Sequence, residues 1–359
     1  MESTLSTKED ERLRTFNVGV IGLGTWGRKI LEEYVKIPAV RVVGAADPNP
    51  AARAYCKEQY GIRETVEDYE DLLADPAVSA VHIATPNATH FPIGQAALMA
   101  GKHVLMEKPL CEKAGDAHRL VQFAESKNLT LSVGHIFRFN NALIEIQRLV
   151  RETFFGRIFM LESRWSNSEK PYEDRDVVLD LAPHVVDILN FLLGEWPVSV
   201  WCAGRSFRRT KREEAATLWF EFDGGVCASA NLSWLVPPKT RHLAIVGENR
   251  SATVDVLTQE IAVHESGYTY RIHVERNNTI RDELMHFIKS VGDPLTETRN
   301  SGLLGAQVVD VLDALHESMR TGTKRTLEVA NAANVGGRSS KKASARPVDT
   351  RARSTSRSS

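Results

Sequence analysis

The sequence predicts an α/β protein: an N-terminal doubly wound parallel sheet of the Rossmann kind, then an α/β domain on a large, mainly antiparallel open sheet. Three observations lead there. Strand-like and helix-like segments alternate with short connections from Phe16 to Val133, the pattern of a parallel sheet covered on both faces. A glycine-rich turn, Gly22-Leu-Gly-Thr-Trp-Gly27, sits directly between the first strand and the first helix. After Gly134 the texture changes, and strands follow one another with tight turns, which favours antiparallel pairing.

Each element has a local cause. Phe16–Ile21 is a short β-branched apolar run and reads as a buried strand, with a helical stretch at Arg28–Lys36 behind the glycine turn. Val40–Ala46 is the second strand and ends at Asp47. Pro48 and Pro50 then open a helix, as proline tolerates a first turn. A short helix at Asp68–Ala74 precedes the third strand, Ala80–Ala84. A helix at Phe91–Ala100, a strand at His103–Met106, a helix at Gly115–Lys127 and a strand at Thr130–Val133 complete the first half. A helix at Asn141–Arg151 leads into strands at Arg157–Trp165, Val198–Arg205, Ala216–Phe222, Gly225–Trp234, Thr240–Val246, Ala252–Val256 and Thr269–Val274. Asp223-Gly224-Gly225 is a hairpin signal between two of them. Helices at Leu181–Leu193, Asp282–Val291 and Gly302–Met319 complete the reading, and no internal repeat is visible.

At 359 residues the chain exceeds one compact core. The expected division is a polar extension over 1–14, a dinucleotide-binding domain over 15–136, a substrate-binding and oligomerisation domain over 137–330, and a basic tail over 331–359. Composition is that of a globular protein, 42% hydrophobic and 25% charged. No apolar run is long enough to span a bilayer, and the first fourteen residues carry no signal-peptide apolar core, so a cytoplasmic location is expected. Cys56, Cys111, Cys202 and Cys227 are widely spaced, which argues for buried free thiols over a zinc site or a disulfide framework. The net charge of −1 hides an asymmetry, because residues 336–359 carry +6 and the remaining 335 carry −7. The Ser/Arg-rich tail cannot bury enough surface to offset its ordering entropy and is expected to be disordered. It reads as a solvated appendage, with contact to RNA or an acidic partner as the alternative. The acidic body makes nucleic acid an unfavourable main ligand.

The glycine turn gains meaning from its position. Gly22 permits the tight turn, Gly24 lets the backbone approach a pyrophosphate, and Gly27 allows close helix–sheet packing. The helix behind them, with Thr25 and Trp26 at its start, offers free N–H groups and positive potential. Asp47 can accept hydrogen bonds from the adenosine ribose, and the same carboxylate would repel a 2′-phosphate, so NAD is expected over NADP. Trp26 lies near the dinucleotide or simply packs. The competing reading of the whole motif is a glycine turn in a non-binding α/β domain.

Three further segments carry chemistry: Ala84-Thr-Pro-Asn-x-x-His90, Glu107-Lys-Pro109, and Asp180-x-x-x-His184-x-x-Asp187. With the glycine turn and Asp47, their order and spacing resemble the Gfo/Idh/MocA family of oxidoreductases, over about Phe16 to Val329. Asp180, His184 and Asp187 fall at i, i+4 and i+7, on one face of a helix. Alcohol oxidation requires removal of the hydroxyl proton as hydride leaves carbon. His184 can take that proton, Asp180 beside it can orient the imidazole and support its charged form, and Lys108 can stabilise developing alkoxide charge. The resemblance implies the same set, lysine, aspartate and histidine, with the identity of the base varying between members. It also implies a cis Lys108–Pro109 bond, and places Thr85, Pro86, Asn87 and His90 along the nicotinamide, His90 being either structural or cofactor-contacting, with Glu107 and Lys108 as further cofactor contacts. The competing reading makes Asp180 a helix N-cap and His184 a hydrogen-bonded core residue. A metal on the same face is disfavoured, because no further His or Cys cluster accompanies it.

The stretches Asp180–His184 and Arg281–Phe287 are similar to family members that oxidise the 3-hydroxyl of a nucleotide-linked hexose in polysaccharide or antibiotic amino-sugar pathways. Two phosphates call for cations. Arg138 and Arg164, each bordering the expected interdomain cleft, are the expected substrate contacts beside Lys108, Asp180 and His184. Arg205 and the run Arg208-Arg209-x-Lys211-Arg212 are further candidates, or a solvated loop. The expected activity is therefore a homo-oligomeric (dimeric or tetrameric) NAD-dependent sugar dehydrogenase. The alternatives are a free-sugar or inositol dehydrogenase, a non-catalytic NAD-binding regulator, and a glycosidase using NAD transiently.

Overall fold

The structure, a computed structural model, describes residues 16–208, 211–293, 296 and 298–328. The expectations for the N-terminal extension and the basic tail, and that for Arg209, lie outside the described residues.

The first half alternates as its sequence requires. It runs β1 (Phe16–Ile21), α1 (Thr25–Tyr34), β2 (Val40–Ala46), α2 (Pro50–Tyr60), β3 (Glu64–Val66), α3 (Tyr69–Ala74), β4 (Ala80–Ile83), α4 (His90–Met99), β5 (His103–Met106), α5 (Ala114–Ser126) and β6 (Leu131–Val133). The six strands form one sheet in the order β3-β2-β1-β4-β5-β6, and each paired strand runs parallel to its neighbour. The order reverses between β1 and β4, so a crevice opens at their carboxyl ends, where doubly wound sheets bind ligands. Three differences from the sequence reading are local: the short strand β3 was not expected, and two helix starts move. α1 begins at Thr25, three residues early, because Gly24 itself serves as N-cap. Asn49 caps α2 by accepting from the Ala51 N–H, which leaves Pro48 outside the helix and Pro50 in its first turn.

The second half is α6 (Asn141–Arg151), β7 (Ile158–Ser168), α7 (Val177–Leu193), β8 (Ser199–Arg205), β9 (Ala215–Glu221), β10 (Cys227–Ser233), β11 (Leu235–Gly247), β12 (Ser251–Asp255), β13 (Glu260–Glu265), β14 (Tyr268–Ile272), α8 (Thr279–Gly292), α9 (Gly302–Thr321) and β15 (Arg325–Thr326). Its nine strands lie in the order β14-β13-β12-β11-β7-β10-β9-β8-β15, and only the β7–β10 pair is parallel. β13 and β15 escaped the sequence reading, being short and partly polar. α7 starts four residues before the expected Leu181, because Asp176 caps it by accepting from the Leu179 N–H. Asp180 therefore sits inside the first turn and is not the cap.

One face of the nine-stranded sheet is covered. Trp165, Leu218, Phe220, Leu232, Leu243 and Val254 pack beneath Val185, Ile188, Leu189 and Leu192 of α7. The C-terminal helices return to the first sheet. Leu284 and Phe287 of α8 join the core of β1 and α1, Phe287 meeting Phe16 edge-on at 6.1 Å, and Ala306 and Val309 of α9 join the core around β4 and β5. The edge strand β6 is closed by Asn300, which accepts at its carbonyl from the Val133 N–H and donates from its side chain to the Val133 carbonyl. Cys56, Cys111 and Cys202 are buried free thiols, and Cys227 is half-buried. No helix among the described residues is long and apolar enough to cross a membrane.

Candidate active site

The crevice is assembled from strand ends. Gly22 follows β1 with φ of +93°, and a Cβ there would stand 2.5 Å from the Ala84 carbonyl oxygen. At Gly27 a Cβ would lie 1.9 Å from the Gly22 oxygen, so α1 can meet the turn only through glycine. Nothing lies within 4 Å of a Cβ placed on Gly24, and no side chain caps α1, so its first N–H groups face open space. Asp47 follows β2. Its carboxylate accepts from the Leu23 N–H at 2.6 Å and the Asn49 N–H at 2.8 Å, which locks it beside the glycine turn while leaving it half-exposed. The Asn87 amide nitrogen is buried without a partner, an orphan donor at the lip of the crevice. Open glycine backbone, a fixed acid and an orphan amide together fit an adenine dinucleotide.

Some residues expected at the cofactor serve the walls instead. His90 is fully buried, and its ring nitrogens meet the Pro109 carbonyl at 2.8 Å and the Thr85 carbonyl at 3.0 Å, so it ties two loops together and has no edge left for a ligand. Glu107 turns inward to His82 Nε2 at 3.3 Å, and His82 Nδ1 meets the Tyr34 hydroxyl at 3.3 Å. Burial pushes the Glu107 carboxyl up, but His82 and the Trp26 indole outweigh it and hold the group below the usual range. Thr85 and Pro86 form the rim of the β4 loop, where the Thr89 hydroxyl bonds to the Thr85 hydroxyl at 2.8 Å and the Pro86 carbonyl at 2.7 Å.

Lys108 spans the two halves. It follows β5 on a cis Lys108–Pro109 peptide, and its Nζ donates to the Asp180 carbonyl at 2.8 Å and lies 3.5 Å from Asp180 Oδ1. The other carboxylate oxygen of Asp180 accepts from Trp234 Nε1 at 3.0 Å. The structure thus corrects the role expected of Asp180. It positions Lys108 and makes no hydrogen bond to His184. His184 stacks on Trp165 at 5.4 Å and meets Phe137 edge-on at 5.1 Å, with Nδ1 buried and unpartnered. Burial, then the cations Lys108 and Arg241, push its pKa well below the ordinary imidazole value, so the ring is neutral at physiological pH.

The two arginines expected on the substrate are elsewhere. Arg138 is buried in an ion pair with Asp187, donates to Asn190 Oδ1 at 2.7 Å and lies 5.3 Å above the Phe191 ring. It holds α7 against the segment after β6, and this also removes Asp187 from the reactive face. Arg138→Met leaves that carboxylate buried and unpaired, so a loss of about 3–5 kcal/mol of stability is expected, read as a lowered urea midpoint. Arg164 points to the uncovered face of the nine-stranded sheet, opposite to its neighbour Trp165. Alternation along β7 dictates this, since adjacent residues face opposite ways. Arg208 is occupied too, bonded to the buried Glu214. The sequence reading missed Trp165, Trp234 and Arg241, all on the covered side near His184. All three lie within or at the ends of expected strands, where nothing local sets them apart.

Two family models match the chain. One, described as an oxidoreductase family with an NAD-binding Rossmann fold, covers residues 16–135; the other, the GFO/IDH/MocA C-terminal domain, covers residues 143–253. UDP-N-acetylglucosamine 3-dehydrogenase of Acidithiobacillus ferrooxidans is 32% identical over 250 residues, covering 69% of this chain and 77% of that protein. Levoglucosan dehydrogenase of Pseudarthrobacter phenanthrenivorans is 29% identical over 206 residues, so the chain spans about half of it, 53%. The solved Acidithiobacillus enzyme superposes with a TM-score of 0.76 at 27% identity, covering 85% of this chain and 98% of that one. A levoglucosan dehydrogenase solved with NADH and levoglucosan shares the fold at a TM-score of 0.80 and 20% identity, covering 88% and 100%.

Proposed function

Because the chain belongs to the Gfo/Idh/MocA family of NAD-binding oxidoreductases, we propose that it oxidises a secondary hydroxyl of a sugar, C3 of a nucleotide-linked hexose, with NAD as oxidant. One observation carries the reading: Lys108 from the first half and Asp180 from the second meet in a direct contact, one helical turn from an unpartnered, neutral imidazole. The choice of a nucleotide-linked hexose draws on the 32% identical relative, whose name states such a substrate.

The residues divide the work. Trp234 anchors Asp180, and Asp180 aims the Lys108 ammonium. That ammonium binds the substrate oxygen and stabilises the negative charge that develops there. His184, held flat against Trp165, accepts the hydroxyl proton. NAD, when bound at the glycine turn, supplies the acceptor for the hydride leaving carbon. Phe137, Trp165 and Trp234 line this region with apolar surface, which strengthens every charge interaction within it.

A panel of UDP-, dTDP- and GDP-sugars against free sugars and inositols, followed by NADH absorbance, tests the reading. Reduction of NAD with nucleotide sugars alone supports it, while turnover of free sugars alone assigns the narrower substrate elsewhere. The pH profile tests the base. Oxidation needs His184 neutral, and its protonation is displaced to lower pH, so the acid limb of kcat/KM is expected below the ordinary value of 6.5. A limb at or above that value would take the role from His184.

A further inference from the structure

On the covered side of the nine-stranded sheet, near the reactive end, one cation has no acid to answer it. Arg241 of β11 pairs directly across from Trp165 of β7, and the same row continues through Leu232 and Ala216, both buried and apolar. Arg241 as a residue is only 6% exposed, yet it forms no ion pair within 4 Å among the described residues; the carboxylates acting on it, Asp180 and Glu169, do so at longer range. Nη1 alone is engaged, donating to the carbonyls of Ser166 at 3.1 Å and Thr240 at 2.7 Å. Nε and Nη2 make no hydrogen bond among the described residues and are not sealed from solvent. Arg138, Arg208 and Arg250, by contrast, each hold a carboxylate. A desolvated guanidinium without a counter-charge is costly, and its planar fork suits a phosphate.

Its neighbour sharpens the point. Leu235 pairs with Ser168 and Thr240 with Ser166, so residues 236–239 bulge out against a single residue of β7. Lys239 ends this bulge, exposed, two residues before Arg241 and near enough to repel it. It makes no hydrogen bond or ion pair among the described residues; Arg241 and Lys29 act on it as like charges, and Glu169 and Asp180 as longer-range opposite ones. The stack completes the placement: Arg241 lies 4.8 Å from the Trp165 ring, and that ring stacks on His184 at 5.4 Å.

We propose that Arg241 and Lys239 form an anion subsite for the diphosphate of the substrate, one indole away from the base. The inference rests on the dehydrogenase reading above and names the residues that make it selective for a nucleotide-linked sugar. Two cations face the two phosphates, and the pairing fixes which way round the sugar enters.

The test uses the full-length protein saturated with NADH, titrated calorimetrically with UDP, inorganic pyrophosphate and glucuronate. UDP and pyrophosphate are expected to bind, and Arg241→Met and Lys239→Met each to weaken both by about tenfold or more, with Arg241→Lys recovering part. NADH affinity stays unchanged in all three, and Lys127→Met, on an exposed helix end, leaves UDP binding as it was. If Arg241→Met fails to fold, Lys239→Met, which alters an exposed side chain, carries the test alone. No binding of UDP or pyrophosphate by the unaltered protein overturns the proposal, as does unchanged binding in the folded variants. A parallel loss of NADH affinity overturns it by assigning the cations to the dinucleotide, and glucuronate binding tighter than pyrophosphate overturns it in favour of a sugar carboxylate. None of these readings needs turnover. NAD reduction by a free sugar without UDP binding removes the subsite and the nucleotide-linked substrate and leaves the dehydrogenase reading, whereas UDP binding without oxidation of any sugar removes the dehydrogenase reading alone.

Discussion

Lys108→Ala lowers kcat by about two to three orders of magnitude and leaves NADH affinity unchanged. The ammonium is the group positioned to meet a developing alkoxide, and deleting one such donor costs about 10²–10³ in rate. It is held by the Asp180 carbonyl and carboxylate, not by any residue of the glycine turn, so the dinucleotide cradle does not depend on it. Steady-state kinetics paired with fluorescence titration of NADH read both quantities. A loss of cofactor affinity with kcat preserved would place Lys108 on the dinucleotide and remove it from the chemistry. Trp234→Phe provides a graded companion. It frees one Asp180 oxygen and lets Lys108 wander, so a smaller fall in kcat is expected with KM little changed.

Gly27→Ala has the second large effect, on binding. The new methyl would stand 1.9 Å from the Gly22 oxygen, and both partners are backbone, so neither can swing aside. α1 must back away, and its free N–H groups leave the place where a pyrophosphate would sit. Dinucleotide affinity is expected to fall by about a hundredfold or more, with far-ultraviolet dichroism retained. Gly24→Ala is the informative contrast, since open space surrounds its Cβ position and the backbone shift is absent. A loss there without structural change reports crowding of the ligand itself.

Much of the fold was legible because each signal was local. The run Phe16–Ile21, the glycine turn and Asp47 lie within one stretch of chain, and physical rules connect them without reference to anything distant. The same holds for the spacing of Asp180 and His184 on α7. What could not be read depended on partners far along the chain. Arg138 looked like a cation bordering a cleft, but α7 presents Asp187 and Asn190 to it, and an internal pair results. Arg164 failed for a simpler reason, since the alternation along β7 that buries Trp165 turns its neighbour outward, a rule available from the sequence once Trp165 is assigned to the core. Arg241 shares the inward alternation of Leu243 and Ile245, but its neighbour across the sheet, Trp165, lies on a strand far earlier in the chain. Asp180 was paired with His184, whereas it meets Lys108 and Trp234, and Trp234 lies more than fifty residues downstream, beyond any helical periodicity.

The return of α8 and α9 to the first sheet bears on how such a protein can be cut or recombined. Phe287 against Phe16, Leu284 in the core of α1, and Asn300 stitched to Val133 mean that the dinucleotide-binding half borrows its last wall from the far end of the chain. Residues 16–135 are therefore not a cassette to be excised or grafted intact. A hybrid enzyme exchanging this half would have to carry its matching C-terminal helices along, or leave a greasy seam and a bare sheet edge facing water.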